Sequence, residues 1–265
     1  MKRIASRDNA LFKSLRKLKQ ASQARREAGL SVLEGVHLCQ AYLQWSGLPR
    51  HAVFDARRLE GAHASAEILA LRDAVPANRQ VWLDANLIDD LEQVQAGQGV
   101  VFVVETPAPP LPERVTQNCV LLDRIQDPGN VGSILRTCAA AGVRNVFLSD
   151  ETAFAWSPKV LRSGQGAHFS LAIHERVDLE ALVERLDVPL VATTLDDAVG
   201  LYRAKLPPHC AWVFGNEGQG VRAELRAAAA LRVRIPQEPA AESLNVGAAV
   251  AVCLFEQRRR FTPDT

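Results

Sequence analysis

The segment DPGNVGSILRTCAAAGV (residues 127–143) runs a turn into a helical pattern and carries an amide, Asn130, and an arginine, Arg136, six residues apart. An amide can order a polar ligand, and a guanidinium can anchor a phosphate or stabilise a developing oxyanion. Gly132 and Ser133 can open the helix, with Ile134, Leu135 and Cys138 recurring at helical spacing. These residues fit a phosphate cradle, a structural cap or half of a catalytic site. A second polar block, VFGNEGQGV (213–221), sets Asn216 and Glu217 between glycines. Its glycine order is not that of a dinucleotide fingerprint, and it lacks the Gly-Lys-Ser/Thr of a Walker loop. Glycines let a ligand approach the backbone closely, so Glu217 would face that ligand. The third block, IPQEPAAESLNVGAAVAVCLFEQRRR (235–260), begins as a proline-stiffened loop. Glu242-Ser243 predicts an N-cap for a long helix, with Asn245 in its first turn. Val246, Gly247, Ala248, Ala249 and Ala251 then form a thin face suited to close packing.

The elements that must position these blocks alternate between strand and helix. CVLLD, NVFLS, LAIH, PLVATT, AWVFG and RVRIP are short apolar runs suited to buried strands. Helical stretches fall at 132–141, 157–166, 178–187, 220–230 and 243–259. The pattern predicts an α/β fold whose C-terminal sheet is mostly parallel, with helices on both faces. Ligands of such sheets bind beyond the carboxyl ends of the strands. The three polar blocks follow such ends. The proline-rich segment ETPAPPLPERVTQN (105–118) reads as a linker. It separates a small α/β domain, 1–104, from the larger domain, 119–265. The small domain begins with a basic helix over about 9–27, followed by a strand at Ser31–Glu34, a helix from Val36 to Trp45, and strands at HAVFD, QVWLD and GVVFVVE.

The chain has 265 residues and a formal net charge of +1, which conceals an asymmetry. Residues 1–26 hold nine Lys/Arg against Asp8 alone, leaving 22 basic and 29 acidic residues in the remainder. A one-sided cationic run of this kind points to a polyanion partner. Lys13, Arg16, Lys17 and Lys19 lie within two turns of the basic helix, whose apolar stripe is Leu11, Leu15 and Leu18. Five scattered cysteines and six histidines show no metal-ligand spacing, so neither a metal site nor a disulfide is expected. No apolar stretch is long enough to span a membrane, and the N-terminus lacks the apolar region of a secretory signal. A cytoplasmic protein is expected.

Taken in order, LLDRIQDPGNVGSILRTCAAAGV, VFGNEGQGV and IPQEPAAESLNVGAAVAVCLFE resemble the three signature motifs of the SpoU (TrmH) family of RNA ribose 2′-O-methyltransferases, within the SPOUT superfamily. SPKVLRSGQGAHF, which contains Arg162, also resembles a family segment. The resemblance covers residues 119–257 well. Residues 1–104 are more loosely similar to the family's ribosomal-protein-like substrate-binding domain. It implies a deep trefoil knot in the C-terminal domain and a homodimer paired through that domain. It also implies S-adenosylmethionine as cofactor, held near Thr193, Gly215, Ile235 and Leu244. The functional polar residues carried over by motif are Asn130, Arg136, Glu217, Ser243 and Asn245. Gly247 departs from the family pattern, which usually has Ser or Ala there.

The implied reaction is methylation of a ribose 2′-hydroxyl, on 23S ribosomal RNA in the first instance. A transfer-RNA ribose methyltransferase and a non-catalytic ribosomal-RNA-binding protein are the alternatives within reach of the resemblance, and a nicotinamide-dependent dehydrogenase is the one outside it. With a solution pKa of about 12.5–13.8, an arginine is a reluctant base. Electrostatic stabilisation and phosphate anchoring therefore suit Arg136 better. Asn130 would order the loop and the substrate, or serve only as a turn residue and cap. Lys13, Arg16, Lys17, Lys19 and Arg162 are the candidate RNA contacts.

Overall fold

Every apolar run singled out above becomes a strand in the computed structural model, which describes residues 2–60, 65–91, 99–238 and 243–261. The chain divides into two compact units, Met1–Pro107 with Trp156–Phe169, and Ala108–Ala155 with Ser170–Thr265. The first unit therefore recruits a segment that the sequence boundaries assign to the second domain. Packing explains the excursion: Phe169 meets Tyr42 edge-on with ring centroids 5.4 Å apart, and Trp156 is buried beside His168.

The first unit contains β1 (Lys2–Ile4), α1 (Ala10–Gln20), α2 (Ser22–Ala28), β2 (Leu30–Glu34), α3 (Val36–Trp45) and β3 (His51–Asp55). It continues through α4 (Ala56–Leu59), α5 (Ala66–Ala74), β4 (Gln80–Leu83), α6 (Ala85–Leu91) and β5 (Val100–Glu105). Its five strands are ordered β1-β4-β3-β5-β2, with β5 antiparallel to both of its neighbours. The strand β1, too short to show a pattern in sequence, is held by parallel pairing to β4.

The basic helix is broken in two. Ala21 is extended, and the buried Arg25 donates from Nη1 to the carbonyls of Leu18 and Lys19. Arg25 thereby satisfies carbonyls that the ending helix leaves open. Phe12, Leu15 and Leu18 face the core, while Lys13, Arg16 and Lys17 are exposed. Lys19 does not join them. It is only 4% exposed and its ammonium lies 2.8 Å from Glu34 Oε2, so it is unavailable to a phosphate. Helical spacing gives the reason: Lys19 follows Phe12 by seven residues and Leu15 by four, which puts it on the buried stripe.

The second unit contains β6 (Cys119–Asp123), α7 (Pro128–Ala141) and β7 (Asn145–Leu148). After α8 (Pro158–Gly164), which belongs to the first unit, it resumes with β8 (Ala172–His174), α9 (Leu179–Val183), β9 (Leu190–Thr193) and β10 (Val199–Gly200). It ends with β11 (Ala211–Gly215), α10 (Ala223–Ala228), β12 (Leu231–Arg234) and α11 (Val246–Phe261). All seven strands are parallel, in the order β10-β12-β9-β11-β6-β7-β8. Cys119, Leu121, Val213, Leu190 and Leu182 are among the residues of one apolar core cluster. All five cysteines are buried and unpaired. Burial raises the thiol pKa of Cys138 and Cys210 to about 12, so these groups are inert packing.

Three helix starts differ from the sequence expectation, and α10, expected over 220–230, runs only Ala223–Ala228. The helix α7 opens at Pro128, not at Gly132, because the Asp127 carboxylate accepts the backbone N–H of Asn130 at 2.9 Å. The cap of α11 is Asn245, not Ser243: its Oδ1 accepts from the N–H groups of Gly247 and Ala248 at 2.9 and 3.3 Å. Glu242 lies outside the described residues.

Removing one member of a buried ion pair leaves the other charge without its partner, at a cost of about 3–5 kcal/mol. Lys19→Ala should lose roughly that much stability in urea denaturation. The combined Lys13→Ala, Arg16→Ala, Lys17→Ala variant should stay within about 0.5 kcal/mol per substitution of the parent chain. Equal stability of the two variants would contradict the placement of Lys19.

Candidate functional site

The opening of α7 meets two blocks that lie 87 and 115 residues further along the chain, through two side-chain amides. Asn130 lies in the first turn of α7, where the Asp127 cap uses its backbone N–H and leaves its side chain free. Its Nδ2 donates to Glu217 Oε1 at 2.8 Å, and its Oδ1 accepts from Asn245 Nδ2 at 2.9 Å. The direction of this relay is dictated from one end. Because Asn245 Oδ1 accepts the N–H groups opening α11, only its NH₂ can face Asn130. Asn130 must then accept there and donate onward, and the carboxylate of Glu217, which can only accept, completes the chain. The cap and the polar relay are thus one arrangement, in which the Asn130 side chain bonds beyond its own turn.

Beside the relay lies a cleft of about 550 Å³, within the range of small-ligand sites. Thr193, Gly215 and Ile235 line it from the ends of β9, β11 and β12, and Leu244 lines it from the segment leading into α11. Glu217 and Ser243 also line it, while Phe214, Val233 and Val246 supply apolar wall. A Cβ built on Gly215 would collide with the backbone of Gly220 and Val221. The loop after β11 therefore folds directly over the strand end, and only glycine permits that approach. Apolar wall, strand-end backbone groups and a carboxylate at the rim fit a cofactor with a flat heterocycle and a polar, partly cationic tail. S-adenosylmethionine has that composition. Gly247 has a similar steric origin, since a Cβ there would come within 2.8 Å of Ser133 Oγ on α7.

The loop is also clamped from below by residues that the sequence reading passed over. Asp123, fully buried at the end of β6, accepts from the Arg222 backbone N–H at 2.9 Å and from Arg222 Nε at 2.8 Å. The Arg124 guanidinium lies 3.3 Å from the same carboxylate. Arg124 also accepts from Asn216 Nδ2 through its carbonyl and donates from Nη1 to Gln219 Oε1. Asn216 Oδ1 in turn accepts the N–H groups of Gly218 and Gln219. The available signal was an acid ending a wholly apolar strand, since a buried carboxylate needs cationic or N–H partners.

The structure does not bring Arg136 into this cleft. It lies about 9 Å along the α7 axis from Asn130, given the helical rise, and it is exposed. Among the described residues its side chain has no hydrogen bond or ion pair. Lys13 pairs with Asp8 at 2.9 Å on the surface of the first unit, where Arg16 and Lys17 have no ion pair among the described residues. Arg162 sits on α8, half-buried, in the same unit.

Residues 117–255 match the sequence model of the SpoU rRNA Methylase family. A tRNA/rRNA methyltransferase of Synechocystis, described as uncharacterized, is 33% identical over 97% of this chain and 93% of its own length. A 23S rRNA (guanosine-2′-O)-methyltransferase of Bacillus subtilis is 29% identical over 97% of this chain and all of its own. Among solved structures, an AdoMet-bound rRNA methyltransferase from Sinorhizobium meliloti superposes with a TM-score of 0.82 at 28% identity, covering 99% of both chains.

The direction of the relay can be tested by reversing its charge. Asn130→Asp sets a second carboxylate against Glu217 and should weaken S-adenosylmethionine binding by about tenfold, or roughly 1.4 kcal/mol, in calorimetry. Adding Glu217→Gln restores a donor opposite an acceptor and should return the affinity to within about threefold. Strictly additive losses in the double variant would refute the relay.

Proposed function

The chain belongs to the SpoU rRNA methylase family, and from that premise we propose that it transfers the methyl group of S-adenosylmethionine to a ribose 2′-hydroxyl of 23S ribosomal RNA. The observation that carries this reading is the hydrogen-bonded relay Asn245–Asn130–Glu217 standing beside a cleft lined by Thr193, Gly215, Ile235 and Leu244. A dehydrogenase reading has no such support, since the glycine loop here is folded over its own strand end.

When bound, S-adenosylmethionine supplies an electrophilic methyl group on a sulfonium sulfur. The strand-end backbone at Gly215 and Ile235, with Thr193 and Leu244, would hold it. A ribose hydroxyl attacks well only in line and as its proton departs, so the chain must orient the 2′-oxygen and stabilise the charge growing on it. Asn130 and Asn245 keep Glu217 at the rim in one orientation, and Ser243 adds a hydroxyl there. Arg136 lies outside the cleft of its own chain with no side-chain partner among the described residues, so RNA must lie across the exposed face of α7 to bring a phosphate and the developing oxyanion to it. The cationic face of α1 and Arg162 make the first unit a second handle on the RNA. That handle favours a large folded ribosomal RNA over transfer RNA, and such a substrate fits an enzyme of the cytoplasm.

The finer architecture follows the same reading. The first unit acts as the ribosomal-protein-like substrate-binding domain. A trefoil knot in the second unit is supported by the crowding of the 215–221 backbone and by the insertion of β11 between β6 and β9. The enzyme acts as a homodimer paired through α11. Gly247 of its small-residue face is occupied against α7, but Ala248, Val252 and Phe255 recur along the outer side, with Phe255 46% exposed. Light scattering should give a dimer for the parent chain and a monomer for Phe255→Glu. A monomeric parent chain with full activity would remove the dimer.

Arg136→Ala should lower methyl transfer more than about a hundredfold, of the order found for loss of a charge-stabilising donor. Its S-adenosylmethionine affinity should stay within about threefold by calorimetry. Collapse of cofactor binding with the fold intact would contradict the role given to Arg136.

The variant lacking Lys13, Arg16 and Lys17, with Lys19 retained, should bind RNA more weakly and flatten the salt dependence by about two to three units of slope. Turnover at saturating RNA should be unchanged. An unaltered slope would mean that this face is merely solvated.

A further inference from the structure

A second cavity of about 580 Å³ opens on the same rim of the parallel sheet, beyond the carboxyl ends of β6, β7 and β8. It shares a wall with the cofactor cleft. Arg124 lines the cavity and donates to Gln219, which lines the cleft, and Arg222 reaches the cavity from the end of the same loop. Two of its arginines, Arg124 (φ 59°) and Arg176 (φ 58°), hold the left-handed backbone conformation that side-chain-bearing residues rarely adopt.

The electrostatics decide what such a cavity can accept. Acids outnumber arginines around it: Asp150, Glu151, Asp178 and Glu180 line it with three arginines, and the buried Asp123 lies beneath. A phosphate inside the cavity would be repelled, whereas a neutral base with both donors and acceptors would find partners for each while the phosphate of its nucleotide stays in solvent. Several lining groups are already committed. Asp178 caps α9, Arg222 bridges Asp123 and Glu180, and Arg176 Nε donates to Asp150 at 2.7 Å. Two functions remain open among the described residues. The exposed Glu151 carboxylate has no hydrogen bond, and the two terminal nitrogens of the Arg176 guanidinium have none.

We propose that this cavity receives a guanine base of the bound RNA, read by Arg176 and Glu151. Guanine presents two adjacent acceptors, O6 and N7, which match a guanidinium fork. Its N1–H and N2–H₂ donors match a carboxylate, which can only accept. Adenine sets a donor between two acceptors, and neither group suits that order. The inference deepens the reading of the protein as an RNA methyltransferase, since it supplies the base contact that the cofactor cleft lacks.

The test uses the full chain and the four nucleoside 5′-monophosphates as probes, titrated with saturation-transfer NMR as readout. Guanosine monophosphate should bind at least about fivefold tighter than the other three. Arg176→Asn, which tolerates the left-handed backbone, and Glu151→Gln should each reduce that preference below about twofold. In methyl-transfer assays both variants should raise KM for RNA about tenfold, with S-adenosylmethionine affinity unchanged. No preference for guanosine monophosphate up to about 10 mM, or a preference that survives both variants, overturns the proposal. A guanine preference that the variants abolish, in a chain that methylates no RNA, would instead uphold the cavity and overturn only the methyltransferase reading.

Discussion

A primary amide has one donating end and one accepting end, and the site depends on that polarity. Asn245 uses its oxygen to cap α11, which forces its NH₂ toward Asn130 and forces Asn130 to donate to Glu217. Hydrogen bonds to a charged acceptor are worth about 1.5–3 kcal/mol. The relay therefore fixes the entry of α7, the loop after β11 and the entry of α11 against one another. Position in sequence has no part in this, because the three elements come together only through the parallel sheet.

The sheet sets up the meeting in two ways. Parallel strands all release their chain at one rim, so the polar blocks following β6, β11 and β12 emerge side by side. The second contribution is the buried Asp123. A carboxylate removed from water must be paired, and its partners here, Arg222 and Arg124, are the residues that hold the 216–222 loop. The cleft lined by Thr193 and Gly215 and the polar cavity beyond the ends of β7 and β8 are the two sides of that loop. A substitution at Asp123 would disturb both while lining neither.

The first unit follows a different logic. Its sheet is mixed, and its cationic side chains Lys13, Arg16 and Lys17 lie on the outer face of one amphipathic helix. On α1 the boundary between core and surface passes between Lys17 and Lys19. The first is solvated, and the second is buried against Glu34. Two lysines two residues apart on one helix thus do unlike work, one available to a polyanion and the other holding α1 to β2.

Much was legible in the sequence because it is local. Apolar runs such as CVLLD and AWVFG are strands wherever they are placed, and glycine clusters after them mark backbone that must approach something closely. The motifs carrying Asn130, Glu217 and Asn245 were also legible, and the family resemblance named Thr193, Gly215, Ile235 and Leu244, which the structure sets around one cleft. What sequence could not decide was partnership. Whether Ser243 or Asn245 caps α11, whether Asn130 is a turn residue or a relay, and whether Lys19 faces RNA or Glu34 each depend on a group brought near by folding. Asp123 and Arg222, 99 residues apart, acquire a joint role only when β11 lies against β6. Local patterns are set by covalent geometry and burial periodicity, which a sequence displays. Hydrogen-bond direction and charge pairing are set by distance, which only the tertiary structure supplies.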